Sequence, residues 1–222
     1  MAQKKHKVIV IGLPKTGTST LAVMLRMLNY KVTGPNINYT KGDNTLLNLL
    51  YEDYDGFQDY PWCFEWQKFL KDPKVKFIVL KREKESWYRS FYESYGGKED
   101  RYLSYSFIEI SKHPDNKLKF LNYFDNYYDN VSSYIENEPN RFIEVSVNGL
   151  EWPELCDFLD EDLPTNIFGK AITKPHINKN NVKTVKSFKY KVLNSIKKGI
   201  TSIIGVDNWL KLVIFLRKNN II

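Results

Sequence analysis

Residues 7–26, KVIVIGLPKTGTSTLAVMLR, constrain the fold more than any other stretch. Val8-Ile9-Val10-Ile11 is an uninterrupted apolar run of the length a buried strand needs. Gly12 ends it, and a short loop follows, Leu13-Pro14-Lys15-Thr16-Gly17. Thr18-Ser19-Thr20 then lead into a helical pattern with Leu21, Met24, Leu25 and Leu28 on one face. A strand, a glycine-bounded loop and a helix that opens on hydroxyl residues make an anion cradle. The N–H groups of the first helical turn point at the ligand, and the helix dipole favours negative charge there.

The rest of the chain repeats the alternation. Residues 31–33 read as a short strand and residues 45–54 as a helix, with Asp43 or Asn44 as its cap. Residues 56–59 read as a strand ending at Asp59, and Pro61 opens an aromatic-rich helix over 62–71. VKFIVL at 75–80 is a buried strand, followed at its carboxyl end by Lys81-Arg82. Helices over 83–95, 117–136 and 152–159, and a strand over 141–147, complete the pattern, while 160–182 look irregular. Strands alternating with helices predict an α/β fold, a P-loop-type parallel sheet flanked by helices on both faces. Ligands in such sheets sit at the carboxyl ends of the strands. Gly12, Asp59 and Arg82 all fall at those ends.

Charge divides the chain in two. From Lys183 onward nine Lys/Arg face one acid, Asp207, a local charge of +8, whereas the whole chain carries +7. The main domain, residues 1–182, is therefore close to neutral and is not expected to bind nucleic acid. Residues 183–222 form a basic, helical C-terminal extension, with Val185, Phe188, Val192, Ile196, Ile200 and Ile203 on one stripe. Gly205 interrupts the stripe, and Asp207-Asn208 can cap a second segment over 209–216. Such a tail packs on the domain or forms a homodimer contact, or it lies on a membrane surface as a basic amphipathic helix. Its apolar segment is interrupted by Asp207, Asn208 and Lys211 and falls short of the ~20 apolar residues a spanning helix needs. Cys63 and Cys156 form neither a disulfide framework nor a metal-site spacing, and residues 2–6 run into the first strand without a secretory pattern. Both features predict a cytoplasmic protein.

The loop departs from the nucleoside triphosphate pattern G-x-x-x-x-G-K-[ST]. Gly12 and Gly17 keep the spacing, but Thr18 follows Gly17 and the lysine sits earlier, at Lys15. The strand at 75–80 ends in Lys81-Arg82 rather than an aspartate that would hold magnesium. No metal is therefore expected. A nucleotide kinase or other NTP-binding enzyme is the alternative reading, and a non-catalytic nucleotide-binding module a third.

The segment from Leu13 to Thr20, LPKTGTST, resembles the 5′-phosphosulfate loop of the P-loop sulfotransferase superfamily, whose donor is 3′-phosphoadenosine 5′-phosphosulfate (PAPS). In that superfamily an arginine at a strand end and a serine eight residues later bind the 3′-phosphate, and Arg82 and Ser90 have that spacing. DYPW at 59–62, ESWYRSF at 85–91 and KPHINKN at 174–180 are similar to a compact family within it. The resemblance covers residues 7–180 and implies sulfuryl transfer from PAPS to a hydroxyl of a glycan or small alcohol.

It implies site roles as well. Pro14, Lys15, Thr16, Gly17, Thr18, Ser19 and Thr20 would hold the 5′-phosphosulfate, with Lys15 at the leaving oxygen, and Arg82 and Ser90 the 3′-phosphate. Lys170 or Lys174 would close over the same phosphate. A general base must take the acceptor proton. Asp59 is the matching position and ranks first, with Glu65 and then His176 as alternatives. Cytosolic members carry a tryptophan five residues after the lysine, stacked on adenine, and here that position is Thr20.

Overall fold

A computed structural model describes residues 4–95, 117–146, 148–175, 197, 200–202 and 204–219. Five strands, β1 (Lys7–Ile11), β2 (Val32–Thr33), β3 (Gly56–Phe57), β4 (Val75–Leu80) and β5 (Phe142–Val145), form one sheet in the order β2-β3-β1-β4-β5. Every neighbouring pair is parallel, and β1 lies at the centre, paired along its whole length with β4. The helices are α1 (Thr18–Met27), α2 (Asn44–Asp53), α3 (Trp62–Glu65), α4 (Lys84–Tyr95), α5 (Lys117–Asn137), α6 (Trp152–Leu159) and α7 (Val206–Lys218).

The alternation of β1 builds two cores. Val8 and Val10 point to one face, where Leu21, Met24 and Leu25 of α1 and Leu155 and Leu159 of α6 cover them. Ile9 and Ile11 point to the other, under Leu47 of α2, Trp62, Trp87 of α4, and Phe120, Phe124 and Tyr128 of α5. Val8, Ile9, Val10 and Ile11 are all fully buried, as a parallel sheet covered on both faces requires. This second core takes up most of the aromatic excess, with Phe77 and Phe142 stacked at 4.5 Å across β4 and β5.

Three expected elements differ in detail. The strand expected over 56–59 stops at Phe57, because Asp59 takes a left-handed backbone, φ 62°, that no strand continues through. The helix expected over 62–71 is a single α turn followed by a 3₁₀ turn, Trp66–Phe69. Three-residue periodicity stacks Trp66 above Phe69, which lets both bury while Gln67 and Lys68 stay exposed. The strand expected over 141–147 is shorter, and residue 147 lies outside the described residues. Asp43, not Asn44, caps α2, accepting the Leu46 N–H at 3.0 Å. Of the tail, the apolar stripe over 185–203 lies mostly outside the described residues, whereas α7 packs on α1 and sets Ile214 against the α1–α6 core.

Candidate active site

The loop between β1 and α1 is fixed from below. A Cβ on Gly12 would come within 2.8 Å of Thr16 Oγ1 and 3.0 Å of Leu80 Cβ, so the chain turns there only as glycine. The Thr16 hydroxyl and N–H both donate to the Leu13 carbonyl, at 2.8 and 3.2 Å, and Thr16 is 1% exposed. From α4 the Trp87 indole donates to the Pro14 carbonyl at 2.9 Å. From α5 the Tyr128 hydroxyl donates to the Leu80 carbonyl at 2.7 Å and accepts the Leu13 N–H at 3.4 Å. Thr16 thus closes the loop rather than offering its hydroxyl to a ligand.

Two residues of this loop are left-handed, Lys15 at φ 79° and Gly17 at φ 109°. For a lysine that conformation costs on the order of 1 kcal/mol, and it persists only where the surroundings enforce it. Gly17 opens α1 without a side-chain cap, and no acid stands in the first turn. The Thr20 and Leu21 N–H groups both donate to the Gly17 carbonyl. The N–H groups of Gly17, Thr18 and Ser19 have no acceptor further back along the helix, as at any helix start. Thr18 and Thr20 are buried at the foot of the helix and Ser19 is exposed.

Arg82, two residues beyond β4, locks the loop to α4. Its Nη1 donates to the Lys15 carbonyl at 3.0 Å and its Nε to Ser86 Oγ at 3.0 Å. Ser86, Ser90 and Glu93 follow at helical spacing along one face of α4, and Ser90 is half-buried one turn beyond the Arg82 contact. Three charged groups act on the Lys15 ammonium. Burial and the Arg82 guanidinium lower its pKa from the ordinary 10.5, and the carboxylates of Asp59 and Glu93 oppose that shift. Lys15, Arg82 and Asp59, far apart in sequence, are therefore brought together, and Glu93 joins them.

Asp59 is half-buried at the carboxyl end of β3. Its Oδ1 accepts the Tyr60 N–H at 2.9 Å, and its carbonyl accepts the Cys63 N–H at 3.0 Å at the start of α3. Burial pushes the Cys63 thiol and the Tyr127 phenol up, and the nearby Asp59 carboxylate adds to both. Asp59 thus stands close to Cys63 and Tyr127.

The other sequence candidates are placed elsewhere. Glu65 accepts the Tyr39 hydroxyl at 2.9 Å and pairs with Lys68 at 2.9 Å, and it is not among the charges acting on Lys15. Lys174 bonds the Asn148 carbonyl at 3.0 Å and Glu151 at 3.2 Å, at the carboxyl end of β5. Lys170 lies in a turn closed by the Thr165–Ala171 bridge, its N–H held by Asn166 Oδ1. That turn meets Asn219 beyond α7, and Lys218 beside it reaches Asn29 after the far end of α1. Since α1 is ten residues long, about 15 Å of helix separates that end from the loop. Lys170 is therefore not gathered with Lys15 and Arg82, contrary to the role expected for it. His176 lies outside the described residues. Among the described residues no group of three His, Cys, Asp or Glu side chains is placed to hold a metal ion.

Ser86, Glu93, Trp87 and Tyr128 are the site residues that sequence reasoning did not select. The helical phase of α4, which puts Ser86, Ser90 and Glu93 on one face, carried a signal for two of them. Nothing local marks Tyr128, whose role depends on how α5 docks.

Residues 7–113 match a family model described as a sulfotransferase domain. No curated protein matches the chain. The matched stretch, just under half of the chain, contains the loop, Asp59, Arg82 and Ser90. A five-stranded parallel sheet with helices on both faces is consistent with that family's fold, and sulfuryl transfer is the reaction class to which the match points.

Proposed function

We propose that this sulfotransferase-type chain moves a sulfuryl group from PAPS to a hydroxyl of a glycan or small alcohol. The observation that carries the reading is Lys15, a strained, half-buried cation in the loop before α1, with Arg82 bonded to its carbonyl and Asp59 within its field. The donor set suits two phosphate groups. The N–H groups of Gly17, Thr18 and Ser19 and the Lys15 ammonium face the position of a 5′-phosphosulfate, and the Arg82 guanidinium and Ser90 suit a second phosphate. Thr20 leaves no aromatic stack for adenine at that position.

In the transfer, the bond from sulfur to the phosphate oxygen breaks and a bond from sulfur to the acceptor oxygen forms. The electron pair stays on the departing phosphate oxygen, where Lys15 stabilises the growing charge. Asp59 takes the acceptor proton. An incoming anion also raises the lowered pKa of Lys15, which holds the side chain in its charged form when it acts.

Thermal stabilisation by adenosine 3′,5′-bisphosphate, against ATP with magnesium, tests the reading. A ligand at a hundredfold over its Kd adds about 2.7 kcal/mol. Stabilisation by the bisphosphate is expected, and stabilisation by ATP–magnesium alone would assign the loop to an NTP-binding enzyme. Labelled donor with a panel of hydroxyl acceptors then reads transfer. A full rate in Asp59→Asn would remove Asp59 as the base.

A further inference from the structure

The tail and the turn before it leave an exposed surface that the catalytic reading does not use. Ile167 is 67% exposed and Phe168 76% exposed at the tip of the turn between Thr165 and Ala171. The tip is held in shape. Asn166 Oδ1 accepts the Phe168 and Lys170 N–H groups at 2.9 and 3.0 Å, and Gly169 takes the left-handed backbone, φ 72°, that closes it. The Ile167 N–H donates to Asn219 Oδ1 at 3.1 Å, and the Asn219 amide donates to the Phe215 carbonyl at 2.8 Å. The turn is thereby joined to the end of α7.

The outer side of that helical segment continues the surface. Leu212 and Phe215, three apart on α7, are both exposed, as is Ile204 ahead of the left-handed Gly205 that precedes the helix, whereas Ile214 on the inner side packs into the α1–α6 core. Lys170 follows the tip and Lys211 precedes Leu212, and both are exposed. The sequence from Lys183 onward carries a charge of +8.

We propose that the Ile167–Phe168 tip and the outer stripe of α7 form a docking surface for an anionic lipid bilayer, met peripherally. The shape selects this occupant. Phe168 and Ile167 are exposed at the tip of a turn, and an exposed apolar tip beside lysines suits a fluid interface, where rings enter between headgroups and the cations meet their phosphates. Partner proteins present their own shaped pockets to anchors of this kind, whereas a bilayer needs none. No helix among the described residues is long and apolar enough to cross a membrane, so the contact is with the surface.

Flotation of the full chain with vesicles of phosphatidylcholine, and of phosphatidylcholine with phosphatidylserine, tests this. Binding is expected to the phosphatidylserine vesicles, to weaken as salt is raised, and to fall about tenfold or more in Phe168→Asp and in Phe215→Asp. No binding to the phosphatidylserine vesicles, equal binding to both vesicle types, or binding that both substitutions leave unchanged would each overturn the proposal. Sedimentation showing a dimer that Phe168→Asp dissociates, with no vesicle binding, would reassign the surface to self-association. Circular dichroism checks that the variants fold. Phe168→Ser gives the same reading without a new charge should an aspartate disturb the turn.

Discussion

Lys15 is the residue on which both strain and charge converge. Its left-handed backbone is a position glycine occupies without cost, so Lys15→Gly is expected to gain about 1 kcal/mol of stability. The same variant should lose sulfuryl transfer, and a denaturation curve beside a transfer assay reads both. Gly12→Ala has the opposite effect, because the added methyl meets Thr16 and Leu80 at 2.8 and 3.0 Å. A loss of about 1–3 kcal/mol is expected, seen as a lower urea midpoint at unchanged slope. Protonation gives a further measurement. Lys15 titrates below 10.5, and its charged form faces the anion. Bisphosphate affinity should therefore begin to fall below that pH as the solution is made alkaline. Calorimetry over a pH series should show this component in the wild type and its absence in Lys15→Met.

At the scale of elements, α4 and α5 act as the floor of the loop. Trp87→Phe keeps the ring packing but leaves the buried Pro14 carbonyl without its donor, which should cost about 1–3 kcal/mol and loosen the loop. Weaker bisphosphate binding at intact secondary structure would register it. β1, the loop and α1 were legible in the sequence because three signals coincide there: an apolar run, a glycine spacing and a hydroxyl-led helix start. Arg82 and Ser90 were selected on the eight-residue spacing that the family resemblance supplies, and Arg82 lies ahead of the helix that carries Ser90. The helical phase of α4 put Glu93 on the face of Ser90, but its effect on Lys15 depends on where α4 docks. Glu65 ranks next after Asp59 in the sequence, and Tyr39, which engages it, lies far upstream. Lys170 read as part of a basic loop near the ligand, whereas its turn bonds the end of the tail helix. Long-range pairings of this kind are fixed by packing, which sequence periodicity does not encode.

Over the whole molecule, the two edges of the sheet do different work. At the amino-terminal edge Asp160 meets His6 at 2.9 Å, Lys5 at 3.1 Å and Lys76 at 3.3 Å, tying the start of the chain and β4 to the end of α6. Those partners hold the Asp160 carboxyl well below its ordinary 3.8, so its stabilisation is present above that value and is lost as pH falls toward the lowered one. Asp160→Asn should lower the thermal midpoint at neutral pH and flatten the last part of the acid-unfolding curve. At the carboxyl edge lie Lys15, Asp59 and Arg82, a helix length from the Ile167–Phe168 turn. A protein seated on a bilayer by that turn would present its reaction mouth upward, toward bulk water. It would then take acceptors that diffuse in from solution and pass over hydroxyls anchored in the lipid beneath it. Vesicles that bind the protein should accordingly leave its rate on a soluble acceptor unchanged.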